Sequence, residues 1–251
     1  MFYFCACSFG KDSIATVLLA LQHNEPLDEV VFTEVMFDNK RGISGEDPKH
    51  IHWVKTHAAP MLESLGCKVR IIPTEIDYLD SFHHIVKKSK HPNRNGKKRA
   101  FPIADRCSVL RDCKLRTMKQ YLKSIGKDYI QYVGIASDEV DRLLKKQFKD
   151  GHRVSLLAKY EYTEQMAFEL CKQYNLLSPT YQTSMRNGCW FCPNRTDKDL
   201  AIFKQQHPEL WSELLILEHD PNKVSPCFRY NQTLTEINNK IDWINRQLKL
   251  F

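Results

Sequence analysis

The chain has 251 residues, 42% hydrophobic and 27% charged, a composition of folded globular proteins and not of disordered or fibrous ones. It has no low-complexity tract or internal repeat. Its apolar runs fall short of the roughly 18 to 20 residues a membrane-spanning helix needs, so no membrane association and a cytoplasmic location are expected. The net charge of +7 is concentrated: Lys87, Lys88, Lys90, Arg94, Lys97, Lys98 and Arg99 fall within 13 residues that contain no acid, and the rest of the chain is balanced.

In chain order, Phe2 to Cys7 reads as a strand and Asp12 to His23 has the apolar spacing of a helix. Between them lies Ser8-Phe9-Gly10-Lys11-Asp12-Ser13, a turn feeding a helix start. The unpaired N–H groups there, at the positive end of the helix dipole, suit an anionic phosphate. An ordinary turn capped by Asp12 or Ser13 is the structural alternative. Glu29 to Phe37 is rich in β-branched and aromatic residues and predicts a second strand. Pro48 to Leu65 predicts a helix with Ile51, Val54, Ala58, Met61 and Leu65 on one face, ended by Gly66.

Lys68 to Pro73 is the third predicted strand. The basic segment that follows, interrupted by Pro92, Asn93, Asn95 and Gly96, predicts a mobile loop without regular structure, able to attract phosphates or simply solvated. Ser108 to Ile125 predicts a helix closed by Gly126, and Tyr129 to Ile135 a fourth strand. Beyond residue 150 the pattern is helical without strands: Tyr162 to Tyr174, Asp197 to Gln206, Pro208 to Glu218 and Thr233 to Leu248. The expected fold is therefore α/β, a parallel sheet with helices on both faces over residues 1–150, followed by a helical, cysteine-bearing region over 151–251. Such sheets bind ligands at the C-terminal ends of their strands, which would bring residues 8–13, those after Phe37 and those after Gly134 to one edge.

Nine cysteines are many for a reducing compartment, where clustered thiols bind metal or do chemistry. Cys5, Cys7, Cys67 and Cys171 fall in predicted strands or helices and are expected to be core residues. Cys107, Cys113, Cys189, Cys192 and Cys227 remain. The turn Gly188-Cys189-Trp190-Phe191-Cys192-Pro193 reads as poor core material and a good ligand knuckle, and a metal there would compensate for a small C-terminal core.

The loop Ser8-Phe9-Gly10-Lys11-Asp12-Ser13 resembles the pyrophosphate-binding loop, Ser-x-Gly-x-Asp-Ser, of the PP-loop ATP pyrophosphatase superfamily. Its Gly-Lys-Asp-Ser form is that of the branch with phosphoadenosine phosphosulfate reductase and the DNA phosphorothioation sulfurtransferases. Val35-Met36-Phe37-Asp38 looks like the strand end where that branch places an acidic residue near the nucleoside. Gly134 to Arg142 is similar to its Gly-Ile-Arg-x-Asp-Glu-x-x-x-Arg stretch, with Ala136 in place of the first arginine and Arg142 keeping the last. The resemblance implies an adenine nucleotide alpha-hydrolase-like, Rossmann-type fold that binds ATP or an adenylylsulfate-type nucleotide with Mg²⁺. The nucleotide contacts carried over are Ser8, Phe9, Gly10, Lys11, Asp12, Ser13, Asp38, Gly134, Ile135 and Arg142, with Lys11, Asp12 and Ser13 as the catalytic group. Asp12 would position Mg²⁺ or cap the helix, and Gly134 and Ile135 would let adenine approach the backbone.

Cys107, followed 82 residues later by Cys189 and Cys192, resembles the layout that holds a [4Fe-4S] cluster in adenylylsulfate reductases, without their tandem pair. Three ligands therefore carry over. Cys227, in a loop, is the first choice for the fourth, and Cys113 is the alternative. On one α-helix Cys113 would point about 120° from Cys107 and join it only if Cys107 precedes the helix. Thiolates suit both iron-sulfur clusters and Zn²⁺, and spacing does not choose between them.

The function this implies is adenylation of an acceptor, nucleic acid or small molecule, followed by sulfur transfer. A sulfonucleotide reductase is the second reading, disfavoured because the chain ends Trp243 to Phe251 without a Glu-Cys-Gly-Leu-His type sequence. A zinc-stapled, non-enzymatic nucleic-acid binder is the third. Expected partners are a nucleic acid through loop 87–99 and a sulfur or electron donor protein; the oligomeric state is not legible. Tyr160, Tyr162, Tyr181, Trp190 and Phe191 read more readily as core than as base-stacking residues, and Glu161 and Glu164 as helix-capping residues as readily as site residues.

Overall fold

The computed structural model describes residues 1–102, 107–145, 148, 151–184 and 187–248. Five strands, numbered in chain order, form one parallel sheet: β1 (Phe2–Ala6), β2 (Glu29–Glu34), β5 (Val69–Pro73), β6 (Tyr129–Tyr132) and β7 (Arg153–Val154), in the order β5-β2-β1-β6-β7. Alternation along the strands builds two apolar faces. Phe2, Phe4 and Val31 face Met118, Tyr121, Leu122 and Ile125 of α5 (Arg116–Ile125). Cys5, Val30 and Phe32 lie in the opposite core with Ile14, Val17 and Leu18 of α1 (Lys11–Gln22). Helices thus cover both faces, as a parallel sheet requires.

From β1 the chain steps outward to β2 and β5, then returns to pair β6 on the other side of β1. The C-terminal ends of β1 and β6 therefore flank a topological switch point, where open α/β sheets take their ligands. The loop after β1 is the one containing Ser8 to Ser13.

Several elements differ from the periodicity. The run 29–37 breaks after Glu34, and β3 (Met36–Asp38) pairs antiparallel with β4 (Ile43–Ser44) in a separate ribbon. The long helix over 48–65 is α2 (Pro48–Trp53), a π-helical turn (Val54–Ala58) and α3 (Ala59–Ser64), where Pro60 lacks the N–H to continue a regular ladder. Likewise the start of the 108–125 helix is a π-helical turn, Val109–Leu115. A strand does occur beyond residue 150: β7 completes the sheet, but two residues are too few to leave a periodic signature. Short helices α4 (Tyr78–His83), α6 (Val140–Leu143) and α7 (Leu156–Lys159) are invisible to periodicity for the same reason.

The chain forms two compact units. The first, Met1–Glu34, Asp47–Pro73 and Thr117–Gln182, contains the parallel sheet and α8 (Glu164–Gln173). The second is Val35–Glu46, Thr74–Arg116 and Thr183–Phe251. The units interleave in sequence instead of meeting at a single boundary at residue 150, because excursions leave the sheet at the ends of β2 and β5 and return. The second unit has its own aromatic core, with Phe37, Tyr78, Trp190, Phe191, Trp211 and Phe228 all nearly inaccessible. Around that core stand α9 (Asp197–Gln206), opened by a Thr196–Asp199 capping box, α10 (Pro208–His219) and α11 (Leu234–Leu248).

The basic segment, as expected, has no regular element longer than a single 3-10 turn at Pro92–Arg94, but its backbone is paired. Val86 N–H donates to Lys97 O (2.9 Å), Gly96 N–H to Val86 O (2.9 Å) and Arg99 N–H to His84 O (2.9 Å), which closes it on itself. Lys98 N–H donates to Asn222 O (2.8 Å) and Lys98 O accepts Val224 N–H (2.8 Å), which pins it to a second segment. Pairing to a segment more than a hundred residues away leaves no trace in local propensity. Among the described residues no helix is long and apolar enough to cross a membrane.

Candidate functional site

In the first unit, α1 begins at the switch point with Gly10 as its N-cap, which has no side chain to cap it. Asp12 and Ser13 therefore do not cap the helix. The left-handed residue of the loop is Phe9 (φ 55°), while Gly10 has φ −80°, open to any residue. Phe9 is fully buried, edge-on to Phe32, and burial of its ring holds the strained backbone.

The loop is closed by hydroxyls. Ser13 Oγ donates to Gly10 O (3.0 Å) and accepts Ser8 N–H (3.2 Å), and Ser8 Oγ lies 3.3 Å from it. Lys11 N–H donates to the Tyr181 hydroxyl (3.0 Å). Lys11 Nζ sits 2.7 Å from Asp12 and 2.8 Å from Glu164. Burial works against its charge, but the two carboxylates outweigh it and hold the ammonium above the ordinary lysine range. Burial pushes the Asp12 carboxyl up in spite of Lys11. Thr163 caps α8, so Glu164 is a partner of Lys11 and not a helix cap.

Two residues that sequence reasoning missed or assigned differently hold this loop. His50, 1% exposed, donates from Nε2 to Ser8 O (3.0 Å) and accepts the Ser178 hydroxyl at Nδ1 (2.9 Å). Its only sequence signal is a histidine that shares a helix face with Val54 and Ala58. At Gly134, where the resemblance implies an approach of adenine, the close neighbour is backbone. A Cβ there would stand 2.6 Å from Asp12 C and 2.6 Å from Ser13 N, so the glycine lets the loop after β6 pack on the start of α1. Ile135 is buried, and its carbonyl accepts the Ser155 hydroxyl (2.5 Å). Arg142 lies on α6, exposed and paired with Glu139, which also accepts Ala136 N–H (3.1 Å).

Asp38 belongs to the second unit. Its carboxylate accepts Lys40 N–H (2.9 Å) and Arg41 Nε (2.6 Å), and Arg41 holds it below the ordinary carboxylate range.

The Cys-x-x-Cys turn is also in the second unit. Its two aromatics are core residues, as their type suggests and against the reading of the turn as poor core material. Trp190 and Phe191 are fully buried, packed on Phe37 and Tyr78. Trp190 N–H donates to Gly45 O (3.0 Å) and its indole to Ser44 O (2.9 Å), which fastens the turn to β4. Cys189 and Cys192 are thereby presented on a rigid support. Cys107 lies just before the π-helical turn, and Cys189, Cys107 and Cys192 all add to the cost of ionising the Tyr78 hydroxyl. Burial, and then those thiols, raise Tyr78 well above the ordinary phenol value. The Tyr78 hydroxyl is buried and has no hydrogen-bond partner among the described residues. Lys114 is paired with buried Glu46 at 3.2 Å.

The two candidates for a fourth ligand have different surroundings. Cys113, on the π-helical turn, interacts with Cys107; burial pushes its thiol to about 12, and it donates to Asp77 O (3.6 Å). Cys227 shows only its backbone N–H on Ser225 Oγ (3.1 Å), with no electrostatic link to the other thiols among the described residues. Among those residues no three His, Cys, Asp or Glu side chains gather closely about a point for a metal ion. Cys5, Cys7, Cys67 and Cys171 are buried, as expected of packing residues.

No protein-family model matches the chain. No curated protein matches it either. Solved structures that it resembles include the U34-tRNA thiolase NcsA from Methanococcus maripaludis with its [4Fe-4S] cluster, at 14% identity over 88% of this chain and 73% of that one, with a TM-score of 0.43. That likeness is too distant to transfer residue roles.

Proposed function

We propose that the chain is a PP-loop, ATP-using sulfurtransferase that adenylates an acceptor oxygen and replaces it with sulfur. The observation that carries this reading is the α1 N-terminus: its N-cap is a glycine, it stands at the switch point of a parallel sheet, and it carries Ser8, Ser13 and Lys11 in the Ser-x-Gly-x-Asp-Ser order. The amides and hydroxyls of Ser8 to Ser13 bind the pyrophosphate, and Lys11 leaves Glu164 to offset charge on the leaving group. Asp12 is the loop carboxylate available to Mg²⁺. The acceptor oxygen attacks the α-phosphorus and pyrophosphate departs; a hydrosulfide-equivalent nucleophile from a sulfur donor then attacks the activated carbon, and AMP departs with the oxygen. Asp38, Gly134, Ile135 and Arg142 are proposed as further nucleotide contacts.

Cys107, Cys189 and Cys192 are proposed to hold a [4Fe-4S] cluster, with Cys227 as the fourth thiol and Cys113 as the alternative. The donor set is three thiols, which suit iron, and the buried Tyr78 hydroxyl, without a partner among the described residues, would be satisfied by a bound sulfur as acceptor. When bound, the cluster supplies thiophilic iron at which sulfur can be carried. Trp190 and Phe191 exclude water from the turn, and Lys114 supplies a cation against the thiolates.

The test is anaerobic purification of the full chain with iron, sulfide and zinc analysis, followed by measurement of AMP and pyrophosphate release against nucleic-acid and small-molecule acceptors. Iron with sulfide, acceptor-dependent AMP release and its loss in Ser13→Ala are expected. Sulfite release from adenylylsulfate or its phosphorylated form without AMP formation from ATP would instead establish the reductase. Stoichiometric zinc with no nucleotide chemistry would leave the non-enzymatic binder.

A further inference from the structure

The second unit contains a cavity of about 550 Å³ whose lining, among the described residues, has five cationic side chains and no carboxylate. Lys87, Lys88 and Arg94 come from the basic segment, Arg99 from its return, and Arg111 from the π-helical turn; Phe101, Val86 and Val224 form an apolar floor. Arg99 and Arg111 share one carboxylate, Asp112, each at 2.6 Å. Lys87, Lys88 and Arg94 have no ion-pair partner among the described residues. The lining therefore keeps a net of four positive charges even when Asp112 is counted.

These charges stand on a fixed frame. The segment is closed by its own backbone bonds and pinned through Lys98 to Asn222 and Val224, with Asn222 Nδ2 donating to Gly96 O (3.0 Å). Like charges held close together repel, and a fixed cluster of them is relieved by a polyanion at little ordering cost. Lys90 and Lys97 continue the positive surface along the same segment. The field is thus longer than one phosphate needs. The floor offers no exposed aromatic face for stacking, since Phe101 is only 5% exposed, so recognition is of backbone and not of bases.

We propose that this cavity binds consecutive phosphodiesters of a single nucleic-acid strand without sequence preference, and that this strand is the acceptor. The second half rests on the sulfur-transfer reading; the binding itself does not. A concave site of this size admits one strand, whereas a duplex would meet it only at the rim.

The experiment is fluorescence anisotropy of the full chain, without ATP, against a labelled strand of RNA or DNA about 20 nucleotides long, the same sequence as a duplex, and tripolyphosphate as competitor. Single-strand binding that weakens with salt is expected. The triple variant Lys87→Ala, Lys88→Ala, Arg94→Ala should bind on the order of tenfold or more weakly. Its log–log salt slope should be flatter by about 2, because each phosphate that is no longer neutralised takes about 0.7 from the slope. Lys123→Ala, on α5 of the first unit, should change nothing. All three substituted side chains are without ion pairs among the described residues, so an unchanged thermal midpoint confirms that the triple variant folds. Unaltered affinity in that variant, salt-independent binding, or tripolyphosphate displacing the strand at equal concentration would each overturn the proposal. Because ATP is absent, a failure here is distinct from failure to release pyrophosphate.

Discussion

At the residue scale, the loop from Ser8 to Ser13 depends on two positions for opposite reasons. Phe9 takes the left-handed conformation that Gly10 would be expected to supply, and its buried ring against Phe32 stabilises it. Gly134 has no side chain because backbone occupies the place of one. Gly134→Ala should destabilise the protein by roughly 1–3 kcal/mol, since the atoms its Cβ meets are Asp12 and Ser13 backbone that cannot swing aside. ATP affinity should fall with it, because the displaced backbone is the loop itself; calorimetric melting and nucleotide titration check both, and an unchanged melting temperature would refute the close approach. Tyr78 gives the opposite prediction. Metal-free Tyr78→Phe should be more stable by about 1–2 kcal/mol in urea denaturation, because it removes a buried hydroxyl without a partner. A loss of stability would mean that the hydroxyl is already satisfied.

At the element scale, Glu29 ties β2 to two neighbours. It is 3% exposed, and its carboxylate accepts Arg70 Nε and a guanidinium nitrogen of the same residue on β5 (both 3.1 Å), Lys68, and the Tyr121 hydroxyl of α5. Burial alone would raise its pKa, but these partners overcome burial and bring it down to about 2 from an ordinary 4.5. A depressed folded pKa contributes stability that is complete above the unfolded value and lost as pH falls through the folded one. The protein should therefore lose about 3 kcal/mol from this group between about pH 5 and pH 2. Glu29→Gln should be less stable at pH 7 and show a flatter dependence over that window. Urea midpoints measured at successive pH values decide it, and an equal slope in both proteins would count against the assignment.

At the scale of the whole molecule, neither compact unit is a continuous stretch of chain. A fragment ending at residue 150 loses β7, α7 and α8, and with them Glu164, Ser178 and Tyr181, which hold Lys11 and His50 in the first unit. It would keep the basic segment but lose the Cys-x-x-Cys turn and the aromatic core of the second. That fragment should not fold cooperatively, seen as no sigmoidal melt and no dispersed amide spectrum. A cooperative melt would restore the linear boundary.

Much of the first unit is legible in sequence because its determinants are local. Strand alternation in Phe2 to Cys7, the apolar stripe of α1 and the ordered polar residues of Ser8 to Ser13 all act within a few residues of themselves. The buried role of Cys5, Cys7, Cys67 and Cys171 is legible for the same reason. Tertiary structure alone decided where partners meet across long separations: His50 beneath Ser8, Glu164 and Tyr181 on Lys11, Gly134 against Asp12, and residues 222–224 pinning the basic segment. It also gave the cysteine turn a place in an aromatic core through Trp190 and Phe191. Periodicity encodes which face of an element is apolar; it carries no information on which distant element covers that face, and the functional side chains are positioned by that second choice.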